Sequence, residues 1–127
     1  MNLKVNPDEI DAFGHVNNVA YLRWFNAAAS RHCEAVGYGG DLMWKNGFGW
    51  IIRSHAIEYL KPIKPYEEIK IITYVHEIKG AVSLRKYQVV DSLGNICAEG
   101  ETRWVWVDYK SGRPCRVPKE VVSKFGF

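Results

Sequence analysis

From Trp50 to Val107 the chain offers little but β-strands joined by tight turns, and this stretch constrains the fold more than any other part of the sequence. Trp50–Tyr59 is the first such run, stopped by Pro62 and Pro65, which cannot donate to a ladder. Glu67–Ile78 alternates, with Ile69, Ile71, Thr73 and Val75 on one face. Lys79-Gly80 turns the chain into Ala81–Val90, and Asp91-Ser92-Leu93-Gly94-Asn95 turns it again into Ile96–Val107. Long runs joined by short turns are antiparallel neighbours.

One helix precedes these strands. Between Asn18 and Val36, Leu22, Phe25, Ala29, Cys33 and Val36 recur at spacings of three and four, which predicts a single apolar face. Asn17 or Asn18 can cap its start, and Gly37 suits the left-handed position beyond its end. Such a helix is roughly 28 Å long, enough to lie along a whole sheet. A short Leu3–Val5 strand precedes it, and a helical turn near Leu42–Lys45 follows. One long helix and a run of antiparallel strands make an α+β layout with the helix on one sheet face. Trp104 and Trp106 fall on one face of the last strand, Val105 and Val107 on the other. A strand apolar on both sides needs cover on both, which predicts a homodimer or homotetramer.

Composition narrows the class. At 127 residues, 47% hydrophobic and 24% charged, the chain is one globular domain, 1–127, with no repeat or linker. The net charge of +3 is too mild and too scattered for a nucleic-acid binder, although Arg103, Lys110, Arg113, Arg116, Lys119 and Lys124 gather in the last quarter. Cys33, Cys97 and Cys115 form neither a disulfide framework nor a CxxC zinc site, and no long apolar run is present. These features predict a cytoplasmic protein with no membrane partner and no metal or other cofactor.

The least generic segment is Asp11-Ala12-Phe13-Gly14-His15-Val16-Asn17-Asn18. It sets a carboxylate on the loop that feeds the mouth of the long helix, where unpaired N–H groups favour negative charge. Acyl transfer to water needs that pairing: a base or nucleophile on one side of a carbonyl and an oxyanion donor on the other. The same residues also suit a purely structural role, with Asp11 closing a turn, Gly14 permitting it and Asn17 capping the helix.

This segment, continuing into Val19-Ala20-Tyr21-Leu22-Arg23-Trp24-Phe25, resembles the signature of hotdog thioesterases of the 4-hydroxybenzoyl-CoA thioesterase type. His15-Val16-Asn17-Asn18 is similar to a stretch of plant-type acyl-ACP thioesterases. The resemblance implies a hotdog fold, a curled antiparallel sheet of about five strands around a central helix. It also implies hydrolysis of an acyl-CoA or acyl-ACP thioester. Asp11 matches the family's catalytic Asp, Asn18 the residue whose backbone N–H polarises the thioester carbonyl, and Gly14 the turn glycine. His15 and Asn17 match polar positions near the pocket. Phe13, with Trp44, Phe48 and Trp50, is a candidate lining of an acyl pocket between subunits, and Arg113 and Arg116 are candidate contacts for carrier phosphates. The chain departs from many relatives at Asn26 and Ala29, where they carry an acidic residue and an Arg, and at Phe13, where plant-type relatives carry an Asn.

Other constellations fail. No Gly-x-Ser-x-Gly elbow, Walker loop or dinucleotide fingerprint is present. Asp8, Glu9, Asp11 and His15 follow no metal-ligand spacing, and His55 with Glu58 is not an HExxH pair. A non-catalytic acyl-CoA-binding module would lack the acid that Asp11 supplies, and a hotdog dehydratase would need a different His and acid arrangement.

Overall fold

The computed structural model describes residues 1–127 throughout. β1 (Asn2–Lys4) leads through one 3-10 turn (Pro7–Glu9) to α1 (Asn18–Ala35) and α2 (Gly40–Asn46). β2 (Phe48–Tyr59), β3 (Glu68–Lys79), β4 (Val82–Asp91), β5 (Ile96–Asp108) and α3 (Lys119–Lys124) follow. The strands form one sheet in the order β1-β3-β4-β5-β2, with β1 antiparallel to β3 through Asn2↔Lys70, Leu3↔Ile69 and Lys4↔Glu68. This is the hotdog layout expected from the sequence. α3 was not expected: at six residues it is too short to show periodicity. The first strand lies one residue earlier than Leu3–Val5, and Val5 is buried just past its end.

The chain packs as two units, with α1 and β2 to β5 contributing to both. In the first (Met1–Ala29, Ile57–Thr73, Tyr87–Gly100), Phe25 of α1 stacks on Tyr87 of β4 at 4.3 Å and 12°. Val5, Val16, Ile63, Ile69, Ile71, Val89 and Cys97 are buried in this unit. Tyr21, also buried, meets Trp24 and Tyr59, and burial pushes its hydroxyl pKa up to about 12. Lys61 pairs with Asp91 at 2.7 Å, and Asp91 also accepts from the Leu93 and Asn95 N–H groups, closing the β4–β5 turn.

The second unit (Ser30–Ala56, Tyr74–Lys86, Glu101–Phe127) has its own core of Met43, Trp106, Val117 and Val121. Trp50 meets Trp106 edge-on at 5.1 Å. Gly49 is required by close approach, because a Cβ there would collide with Tyr109 Oη and lie 2.9 Å from Met43 Cβ. Arg85 is buried in β4 and donates to His32 Nδ1 at 3.0 Å.

One expectation needs correction. The buried face of α1 runs through Ala20, Tyr21, Trp24, Phe25, Ala28 and Ala29, while Leu22, Cys33 and Val36 are only half-buried. The aromatic residues win the core because they bury more apolar area than Leu22 would. On β5, by contrast, Trp104 is half-buried and the next three residues are covered. Val105, Trp106 and Val107 are buried within the single chain, with Met43, Val117 and Val121 packed on Trp106 and Val107 bridged to Pro114.

Candidate active site

The motif residues Asp11–His15 form one closed loop. Ile10 and Val16 make an antiparallel bridge at its base, and the Asp11 N–H donates to the His15 carbonyl at 2.8 Å. Gly14 turns the chain at φ +80°, in the left-handed region where a side chain is strained, and its N–H donates to the Asp11 carbonyl at 3.1 Å. Asp11 is half-buried. Its Oδ1 accepts from the Phe13 N–H at 2.9 Å and the His15 N–H at 3.2 Å, while Oδ2 makes no hydrogen bond within the chain. The structural role considered for Asp11 is therefore present, and it leaves one carboxylate oxygen unengaged.

The helix mouth is settled by Asn17. Its Oδ1 accepts from the Val19 N–H at 2.9 Å and its carbonyl from the Ala20 N–H at 2.9 Å, so Asn17 rather than Asn18 is the cap. Asn18 is the first helical residue, and its N–H has no acceptor within the chain. Asn17 donates its own N–H to the Glu9 carbonyl at 2.6 Å, while Val16 N–H bonds Ile63 at 3.3 Å. The helix start is thus fastened to the 3-10 turn, and the base of the loop to the connection between β2 and β3.

Glu9 does more than its sequence context suggested. Its Oε1 accepts from the Asn6 N–H at 3.0 Å and its Oε2 from the Trp24 indole at 2.9 Å. The sequence signal was the capping-box spacing of Asn6 and Glu9 across the 3-10 turn. The bond to Trp24 carried no sequence signal, because it joins residues fifteen apart.

The remaining candidates are dispersed. The His15 ring is exposed and makes no hydrogen bond, and its backbone is the part that holds Asp11. Phe13 projects from the loop, 86% exposed. In the second unit Trp44 is 73% exposed beside Tyr109, Trp50 packs on Trp106, and Phe48 borders a cavity. Arg113 is exposed, and its carbonyl accepts from the Asp108 N–H. Arg116 borders the same cavity as Phe48. Neither that cavity, of about 270 Å³, nor a groove of about 650 Å³ along β1 and β3 is lined by any motif residue. No helix is long and apolar enough to cross a membrane.

The family model described as the Thioesterase-like superfamily matches residues 5–125. The chain belongs to that family. Membership makes it a thioester hydrolase at the level of the family. It is 30% identical over 130 residues to the chloroplastic acyl-acyl carrier protein thioesterase ATL2 of Arabidopsis thaliana, covering 99% of this chain and 67% of that protein. The chain thus spans only about two thirds of this plant relative. It is 23% identical over 124 residues to the acyl-CoA thioesterase YbgC of Haemophilus influenzae, covering 97% of this chain and 90% of that one. The DHNA-CoA thioesterase of Staphylococcus aureus superposes with a TM-score of 0.89 at 22% identity, over 98% of this chain and 87% of that one, a likeness of fold.

Proposed function

We propose that this thioesterase-family chain hydrolyses an acyl thioester of coenzyme A or acyl carrier protein to a free acid and a thiol. Asp11 is the general base or nucleophile, and the Asn18 N–H is the oxyanion donor. The observation that carries this reading is the division of labour at Asp11 and the helix mouth. One Asp11 oxygen is tied down by two N–H groups and the other is unengaged, while Asn18 presents the helix-start N–H that nothing in the chain accepts.

As a general base, Asp11 takes a proton from water while the water oxygen attacks the thioester carbonyl. The carbonyl electrons move onto oxygen and are stabilised at the Asn18 N–H and by the helix dipole. Collapse of the tetrahedral adduct breaks the C–S bond, and the departing thiolate recovers the proton from Asp11. As a nucleophile, Asp11 would instead displace the thiolate and form an anhydride that water then opens. Gly14 and the backbone of His15 keep the carboxylate in place, Asn17 holds the helix start, and Phe13 covers the acyl group. Arg113 and Arg116 meet the carrier's phosphates. The functional unit is a homodimer or a tetramer of dimers, joined along β2. That strand is a sheet edge of twelve residues with Ile51, Ile52 and Tyr59 exposed.

The test is Asp11→Asn, assayed by free-thiol release across a panel of acyl-CoAs. Its amide oxygen can still accept from Phe13 and His15, so the loop is kept while base and nucleophile are lost. Turnover should fall by roughly a hundredfold or more. A folded variant retaining more than about a tenth of the wild-type rate would remove Asp11 from the chemistry.

A further inference from the structure

We infer that His32 is a pH-sensitive latch for the C-terminal segment, α3 to Phe127, which is docked while the imidazole is neutral and released once it takes up a proton. Three side chains of the second unit make the latch. Arg85 of β4, only 3% exposed, donates from Nη1 to His32 Nδ1 at 3.0 Å. On the other side the Phe125 ring meets the imidazole edge-on, at 5.2 Å and 85°. Phe125 ends α3 and packs, with Val122, against the core of Met43, Trp106, Val117 and Val121. One half-buried ring of α1 thus stands between a buried cation and the end of the chain.

A guanidinium only donates, so the contact exists only while Nδ1 keeps its lone pair. A proton there removes the acceptor and sets two like charges at hydrogen-bond distance. Arg85 cannot give up its charge and is buried in a strand, so the half-buried imidazole is the group that turns out to water. Its contact with Phe125 leaves with it, since the attraction of a cation for a ring is weaker than repulsion at that distance. No neighbouring charge offsets this. On α1, Cys33 shares the Arg85 guanidinium and burial raises its thiol pKa, Glu34 acts on that thiol rather than on His32, and Arg31 is exposed. On β4 only the Arg85 charge acts on the ring, and from the C-terminal segment the facing group is Phe125, with Glu120 and Lys124 exposed. Burial, then Arg85, already holds the His32 pKa below its ordinary 6.5. Release withdraws Glu120 and Val121 from the wall of the cavity of about 270 Å³ and opens it.

The experiment is hydrogen exchange on the whole protein, corrected for the intrinsic effect of pH on the exchange rate. The Val121, Val122, Phe125 and Phe127 N–H groups, all bonded within the C-terminal stretch from Pro118 onward, report docking. The Val5 and Val16 N–H groups, bonded to Glu67 and Ile63, report the first unit. Between about pH 7.5 and about pH 5 the protection of the segment should fall by about tenfold, within what uptake of one proton allows, while Val5 and Val16 keep theirs. His32→Gln, whose amide oxygen can accept from Arg85 at any pH, should remove the pH dependence. Phe125→Ala should leave the segment poorly protected at both pH values. A wild-type segment equally protected at both would overturn the inference. So would a parallel loss at Val5 and Val16, which is unfolding of the whole chain, or an undiminished fall in the His32→Gln variant. Should that variant fail to fold, titration of the His32 ring followed by NMR decides. Loss of the segment's protection must share the midpoint of that titration, and a different midpoint would overturn the latch.

Discussion

The Trp24 indole of α1 donates to Glu9 Oε2 at 2.9 Å, tying the first turns of the long helix to the segment that carries the Asp11 loop. Glu9 also holds Asn6 through its other oxygen and Asn17 through its carbonyl, so one residue fixes both flanks of the site.

Glu9→Ala should therefore affect stability and turnover together. It leaves the indole N–H of Trp24, a residue only 6% exposed, without its acceptor, at a cost of about 2 kcal/mol. Trp24→Phe in the Glu9→Ala background should add less than it does alone, because the bond is already gone. Denaturant midpoints for the two single variants and the double variant would show this coupling. Strictly additive losses would mean that the pair contributes nothing jointly.

Much of this was legible in the sequence, and the remainder divides by physical cause. The long strands and the helix from Asn18 were readable because periodicity and turn residues mark them locally. Gly37 at φ +89° and Gly14 at φ +80° take the conformations their positions implied. The Glu9–Trp24 bond, the buried Arg85 beside His32 and the cover over Trp106 were not readable, because each depends on residues brought together by folding. The motif predicted Asp11 and Asn18 as partners in chemistry, but not that Asp11 would divide its two oxygens between structure and availability.

The His32–Arg85 contact predicts a pH dependence of stability. Arg85 can only donate, so His32 Nδ1 must accept and the ring must be neutral. Burial first, and then the Arg85 charge, lowers its pKa below the ordinary 6.5; burial likewise lowers that of His55, whose Nδ1 lies 2.8 Å from Thr102 Oγ1. The unfolded chain then takes up protons at these sites before the folded one does. The stabilisation is complete above pH 6.5 and declines as the pH falls through the range below it. Asp91, held below the usual carboxylate range by Lys61, adds a second loss only below about pH 4. Urea midpoints measured from pH 8 to pH 5 should fall, and His32→Gln with His55→Gln should flatten the curve. An unchanged slope in the double variant would assign the dependence to other groups.

The β2 edge predicts the assembly. Light scattering at micromolar concentration should give at least twice the mass of one chain. Ile52→Lys in the middle of the edge should shift the protein toward monomer, since charge on an edge strand opposes pairing. A monomeric wild type would remove the dimer along with any acyl pocket shared between subunits.

Asn18 separates backbone chemistry from side-chain chemistry. If its N–H is the oxyanion donor, the side chain is dispensable, because Asn17 already caps the helix. Asn18→Ala should then keep the rate within about tenfold, and the fold should lose well under the roughly 1 kcal/mol of a true cap residue. Asn18→Pro deletes the donor itself. Proline is well tolerated at the first helical position, and the extended conformation it imposes on the preceding residue is the one that caps adopt. The N–H it removes has no acceptor in the chain, so no internal hydrogen bond is lost. Turnover should nonetheless fall by roughly a hundred- to a thousandfold, as expected when one oxyanion donor is removed. Circular dichroism would confirm that both variants are folded. Equal rates in a folded Ala and a folded Pro variant would transfer the oxyanion contact to another group.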